Sequence, residues 1–186
     1  MMIYKDKNKS QKTKTSSIFH LIKRWAVSLS SKPPSNRDLD WVRLQLSPLE
    51  YELWSQMSNQ DKRHTISVAH KLRNRLDSPV PSYATAAALL HDIGKIRSNL
   101  GTNSRVLATL IAGVLGRDQV SKWKNKSGFL ARVGLYIDHG KVGSELLRAI
   151  GSSALTISWT NQHHDPLRDW QIKDRWAIVL KDCDGD

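Results

Sequence analysis

Residues 82–92 read Ser-Tyr-Ala-Thr-Ala-Ala-Ala-Leu-Leu-His-Asp, and no other stretch constrains the fold as strongly. Pro81-Ser82 opens a helix over Tyr83 to His91, and Gly94 ends or distorts it. A helix that is apolar all round has no face to offer water, so it must be buried. Its alanines let neighbouring helices pack close. Yet the run ends in an imidazole and a carboxylate. A buried carboxylate is costly unless it is paired or bound to a metal. The chain therefore has to build a helical core around a polar pair.

The flanking sequence supplies helices to cover it. Ser47-Pro48-Leu49-Glu50 is a helix start, with a cap residue, proline at the first position and then an acid. Leu49, Leu53, Trp54 and Met57 follow on one face. A second start at Asn59–Asp61 precedes Ile66, Val68, Ala69 and Leu72, and that helix is expected to end near Leu76. Further helices are expected over 103–115, 128–138, 140–150, 153–163 and 173–184, punctuated by Gly101, Gly116, Gly151 and Asp165-Pro166. There is no alternating strand series and no internal repeat. The expected class is all-α, a single bundle of six or seven core helices. Trp54, Trp123, Trp159, Trp170 and Trp176 are expected to pack between helices.

Length and charge set the outer limits. The chain has 186 residues, one cysteine (Cys183) and a formal net charge of +12. One cysteine excludes an internal disulfide and a cysteine-rich zinc module. Residues 1–40 hold nine Lys/Arg against three Asp, half of the net charge. Residues 1–16 have nothing to bury and are expected to be disordered. Ile18, Ile22, Trp25 and Leu29 form a stripe suited to an amphipathic helix over 18–30, and Ser31–Arg37 reads as a linker. The expected organisation is a basic tail and linker over 1–38 and a functional domain over 39–186. Contact of the tail with nucleic acid or an anionic membrane is compatible with its charge, but a solvated leader is the favoured reading. No apolar run approaches the roughly 18 residues of a membrane span, and the apolar part of the N-terminus is broken by His20, Lys23 and Arg24, so a cytoplasmic protein is expected.

Six of the seven histidines fall after residue 39. His64 opens the helix before the alanine run, His91-Asp92 ends that run, and His139 precedes a short helix. His163-His164-Asp165 ends another, and Asp184 ends the last. A lone His-Asp pair is most simply a hydrogen-bonded pair in a packed core. A series of nitrogen and oxygen donors at helix ends suggests convergence on a divalent metal. Mixed imidazole and carboxylate donors suit Fe, Mn, Co, Ni or Zn. His70 lies six residues after His64 on a different face and reads as structural or surface.

The order His64, His91-Asp92, Asp184 resembles the HD-domain metal-dependent phosphohydrolase superfamily over roughly residues 47–186. Arg63-His64-Thr-Ile-Ser-Val-Ala69 resembles its first motif. Ala88-Leu-Leu-His-Asp-Ile-Gly-Lys95 resembles its most diagnostic stretch in the HDIG-type form. Leu180-Lys-Asp-Cys-Asp184 resembles its last, which favours Asp184 over Asp182 as the ligand. Asp138–Leu147, beginning Asp-His-Gly-Lys, and Ile157–His164 resemble the added motifs of two-metal members. These include symmetrical diadenosine tetraphosphate hydrolases and cyclic-dinucleotide phosphodiesterases with a Gly-Tyr-Pro element. No Gly-Tyr-Pro follows His163 here, so the first branch is the closer, looser match.

The resemblance implies one or two divalent ions. His64, His91, Asp92 and Asp184 would bind the first, and Asp92 would bridge to a second held by His139 and His163, with His164 as a further ligand or neighbour. It implies hydrolysis of a phosphate ester or anhydride in a small phosphate-containing substrate, a nucleotide or a relative of one. Asp92 and Lys95 are the expected catalytic residues, Lys95 as a clamp on phosphate charge rather than only a cation at a helix C-terminus. Arg97, Arg105 and Arg132 are further cationic candidates with no motif behind them. Two other classes stay open: a regulatory or nucleic-acid/membrane-binding HD module without turnover, and a diiron oxygenase, which uses the same ligand set in one related family.

Overall fold

The computed structural model describes residues 31–75 and 79–185. The expected disordered tail and the amphipathic stripe over 18–30 lie outside these residues. Among the described residues there are ten α-helices, three short 3-10 turns and no strand. The chain is all-α. None of these helices is long and apolar enough to cross a membrane.

Capping chemistry fixes where the first helices begin. The expected linker ends early, because Ser35 is a cap: its hydroxyl accepts the Asp38 N–H at 3.2 Å and opens α1 (Asn36–Gln45). The expected boundary at 38/39 therefore lies inside a helix whose Val42 is fully buried. Helix α2 (Pro48–Ser55) starts with a reciprocal box. The Glu50 N–H donates to the Ser47 hydroxyl, and the Ser47 N–H donates to the Glu50 carboxylate at 3.0 Å. Ser58 caps α3 (Asn59–Asn74) through the Asp61 N–H.

The alanine run is α4 (Ser82–Leu90), in which Ala84 to Leu90 are all buried. It is the central helix, packed on by α1, α2 and α3. The chain then makes a 3-10 turn over Ile93–Arg97, α5 (Thr102–Leu115), α6 (Arg117–Ser121) and α7 (Gly128–Ile137). Helix α8 (His139–Ala149), α9 (Ala154–Gln162) and α10 (Trp176–Gly185) complete the body. Helix α9 closes on α4 and α8, and α10 lies on α3. Helix α10 begins three residues later than expected, because the Asp174 carboxylate accepts the Trp176 N–H at 2.9 Å. Helix α6 has five residues, too few to show a period, and the bundle has more helices than the six or seven expected.

The main core joins α1 to α4 with α8 to α10. A smaller one lies under α5, α6 and α7 around Leu100, Ala108, Ala112, Val120, Val133 and Ile137. Trp54, Trp159 and Trp176 are buried as expected, while Trp123 and Trp170 are half-buried at the edges.

Two glycines bring the end of α4 against α8. A Cβ on Gly94 would collide with the His139 carbonyl oxygen and stand 2.6 Å from the Gly143 nitrogen. A Cβ on Gly143 would stand 2.8 Å from Thr160 Cγ2 and 2.9 Å from the Gly94 nitrogen. Backbone-to-backbone contact at this crossing is what sets Asp92 beside His139.

Candidate metal centre

The donors come from helix ends and one helix interior. His91 caps the C-terminus of α4 and Asp92 follows it. His139 is the first residue of α8, His163 caps α9, and Asp184 is in the last turn of α10. His64 is not at a helix start as expected, but in the second turn of α3.

The structure brings these side chains together around Asp92. Its Oδ2 lies 3.7 Å from His64 Nε2 and 3.6 Å from His91 Nε2. Its Oδ1 lies 3.2 Å from His139 Nε2 and 3.8 Å from His163 Nε2. Asp184 Oδ1 stands 3.0 Å from His64 Nε2 and 3.4 Å from His91 Nε2. His164 Nε2 is 3.1 Å from His139 Nε2. The donor atoms of His64, His91 and Asp92 form one group within 4.8 Å, and those of Asp92, His139, His163 and His164 form another. Asp182 turns outward to Arg75 at 3.5 Å.

Three of the imidazoles are oriented by one repeated device. His91, His139 and His163 each donate Nδ1–H to the carbonyl three residues back, on Ala88 (2.9 Å), Tyr136 (2.6 Å) and Thr160 (2.9 Å). A carbonyl only accepts, so each proton sits on Nδ1 and the Nε2 lone pair faces the cluster. His91 Nε2 and His163 Nε2 are buried with no hydrogen-bond partner. A buried lone pair of that kind needs an explanation, and a divalent cation among neutral imidazoles and carboxylates supplies one. The donor set fits a metal.

Electrostatics agree with that reading for His139 and His163. Burial pushes the His139 and His163 imidazoles down and keeps them neutral. Burial also opposes charge on His91, but the Asp92 and Asp184 carboxylates outweigh it and raise His91 to about 9. Burial works against the Asp92 carboxylate, yet the Lys95 and His91 charges and the His139 contact hold it well below the usual range. Asp184 is likewise held down against burial by His91 and His64. Without a cation, the Lys95 ammonium and a protonated His91 match the buried carboxylates.

Lys95 Nζ lies 2.6 Å from Asp92 Oδ2 and 3.9 Å from Asp61 Oδ1. Arg105 is bound to Asp61 from one nitrogen, at 2.8 Å to each oxygen, and does not reach the cluster as a free cation. Arg97 and Arg132 are exposed. His70 stacks on Trp41 and faces Asp38 at 3.3 Å, outside the cluster. By sequence Asp61 is only a helix-start residue, and Tyr136 carries no local signal. The one available signal for Asp61 was an acid one helical turn before His64, which every good N-terminus also shows.

The family model of the HD domain matches residues 62–185. The chain belongs to the HD domain family. The match opens two residues before His64 and closes one after Asp184, so it takes in every donor of the cluster. In this HD domain, α1 and α2 precede the matched region. No curated protein and no solved structure matches the chain.

Proposed function

We propose that this HD domain is a divalent-metal-dependent phosphohydrolase that cleaves an ester or anhydride bond of a nucleotide or related small phosphate. The observation that carries the reading is the two-sided use of Asp92, with one oxygen towards His64 and His91 and the other towards His139 and His163. His64, His91, Asp92 and Asp184 would hold one ion. Asp92, His139 and His163 would hold a second, with His164 beside it. Bound divalent ions lower the pKa of water towards neutrality and take up phosphate charge.

The protein's own contribution is geometric and electrostatic. The carbonyl bonds to three imidazoles keep their Nε2 atoms aimed inward, so no rotation is needed when substrate arrives. Burial of His91, Asp92, His139 and His163 excludes bulk water from one wall of the site. Lys95 sets a cation at the cluster's edge, where it opposes the charge that builds on a phosphate during transfer. The His139-Gly140 start and the lack of a Gly-Tyr-Pro element support a symmetrical diadenosine-polyphosphate substrate over a cyclic dinucleotide. We place the working domain over α1 to α10, beginning at the Ser35 cap rather than at residue 39, and preceded by a basic tail, in a cytoplasmic protein.

The test is elemental analysis of pure protein beside a release assay. Mononucleotides, cyclic dinucleotides and symmetrical dinucleoside polyphosphates are offered with Mn, Fe, Co, Ni or Zn. We expect ion-dependent release that a chelator abolishes. Tight ion binding with no release from any phosphate substrate sinks the proposal in favour of a binding module. Oxygen uptake in its place points to diiron chemistry.

A further inference from the structure

Lys95 stands between two carboxylates, and only one of them belongs to the metal cluster. The oxygen it holds, Asp92 Oδ2, is the oxygen that faces His64 and His91. An ion bound by those imidazoles would sit against the same oxygen as an ammonium at 2.6 Å, and the two cations would repel each other in a buried site. Asp61 is the other carboxylate. It is buried, and each of its oxygens has about two acceptor positions. Oδ2 takes Arg105 at 2.8 Å and the Ser58 hydroxyl at 2.6 Å, which fills it. Oδ1 takes Arg105 alone, and it is the oxygen 3.9 Å from Lys95 Nζ. The open acceptor position is therefore on the side of Asp61 that faces the ammonium.

Arg105 fixes that carboxylate in place. Its Nε donates to the Leu100 carbonyl at 2.9 Å, and its guanidinium lies 5.8 Å from the centre of the Tyr136 ring. Tyr136 in turn gives His139 its carbonyl partner. Asp61 thus rests on α5 and α7 rather than on a flexible surface chain. We infer that Asp61 is a positioning residue: an ion taken up at Asp92 displaces the Lys95 ammonium, and Asp61, held by Arg105, receives it. The displacement needs a movement of the order of the 3.9 Å gap less a hydrogen-bond length, within reach of a four-carbon stem. It leaves Lys95 charged, paired and still beside the site. The inference rests on the proposed ion at Asp92 but not on any hydrolytic activity.

The test reads ion affinity. Co2+ is titrated into chelator-stripped full-length protein and followed by its visible absorption. Asp61→Asn should weaken Co2+ binding about tenfold, in the range of coupling between groups in contact. Lys95→Met should tighten it. In the Lys95→Met background, Asp61→Asn should change affinity by less than about twofold, because no ammonium is left to rehouse. A merely structural Asp61 predicts the same loss in both backgrounds, and that result overturns the inference. So does an unchanged affinity in the single Asp61→Asn variant. Wild-type protein that takes up no Co2+ defeats both this inference and the metal reading, whereas binding without phosphate release defeats only the proposed activity. If Asp61→Asn does not fold, a crystal structure of the Co2+-loaded wild type decides. Lys95 Nζ should lie within hydrogen-bond distance of Asp61 Oδ1, and an ammonium still seated on Asp92 rejects the inference.

Discussion

Asp92 faces four imidazoles and one ammonium with two oxygens, so substitutions around it separate the roles at the level of single residues. Asp92→Ala should lose ions and hydrolysis together, as elemental analysis beside an activity assay would show. An Asp92→Ala variant with undiminished turnover would end the phosphohydrolase reading. His139→Ala removes a donor from one side only. It should keep one ion per chain while turnover falls steeply, because water is then activated from one side. Lys95→Ala should retain its ions and lose about 10²–10³-fold in kcat, the range for one preorganised charge stabiliser. The clustered histidines were legible in the sequence as a series at helix ends that resembles the HD family's motifs, not as single imidazoles, since His70 also follows an apolar run and lies outside the cluster. Asp61 was not, because an acid in a first turn is ordinary helix chemistry until Arg105 and Lys95, from distant positions, are seen against it.

Among the elements, the crossing of the Ile93–Arg97 turn over α8 matters most for the site. Gly94→Ala would push a methyl group into the His139 carbonyl, and backbone on both sides leaves nothing flexible to yield. The cost should reach about 3 kcal/mol, the upper part of the usual range for overpacking. Urea unfolding measures it. Ion binding should weaken in the same variant, because Asp92 and His139 are moved apart. Glycine in the His-Asp-Ile-Gly stretch reads from sequence as a helix breaker. Its tighter function, letting two backbones touch, depends on Gly143 some fifty residues later and could not be read locally. Helix starts were far more legible. Ser47 and Glu50 satisfy each other's backbone within four residues, so their effect is local by construction. Ser35 uses the same chemistry, but two prolines just before it outweighed the cap in a linear reading.

For the whole molecule, the cluster draws on α3, α8 and α10, on the ends of α4 and α9, and so on most of the main core. Ions that bind only the folded arrangement stabilise it by mass action, about 2.7 kcal/mol at a free ion concentration one hundred times Kd. Stripping with a chelator should therefore lower Tm, and restoring the ion should bring it back in a concentration-dependent way. A Tm that ignores both treatments would mean that the donors hold no ion under those conditions. The site closes only when α10 docks on α3, since His64 and Asp184 are 120 residues apart and 3.0 Å from each other.

The sequence by itself determined the helical class and most of the helix starts, and it singled out the residues that the fold gathers around Asp92. The class and the starts depend on interactions within a few positions, apolar period and caps, while the gathered residues were singled out by short motifs that resemble those of the HD family. Only the tertiary structure decided which oxygen of Asp92 faces which imidazole, that Asp184 turns inward while Asp182 turns to Arg75, and that Asp61 stands behind Lys95. Those choices are set by the angle at which helices cross and by where backbones can touch. Both depend on the packing of side chains far apart in the chain, which no local pattern encodes.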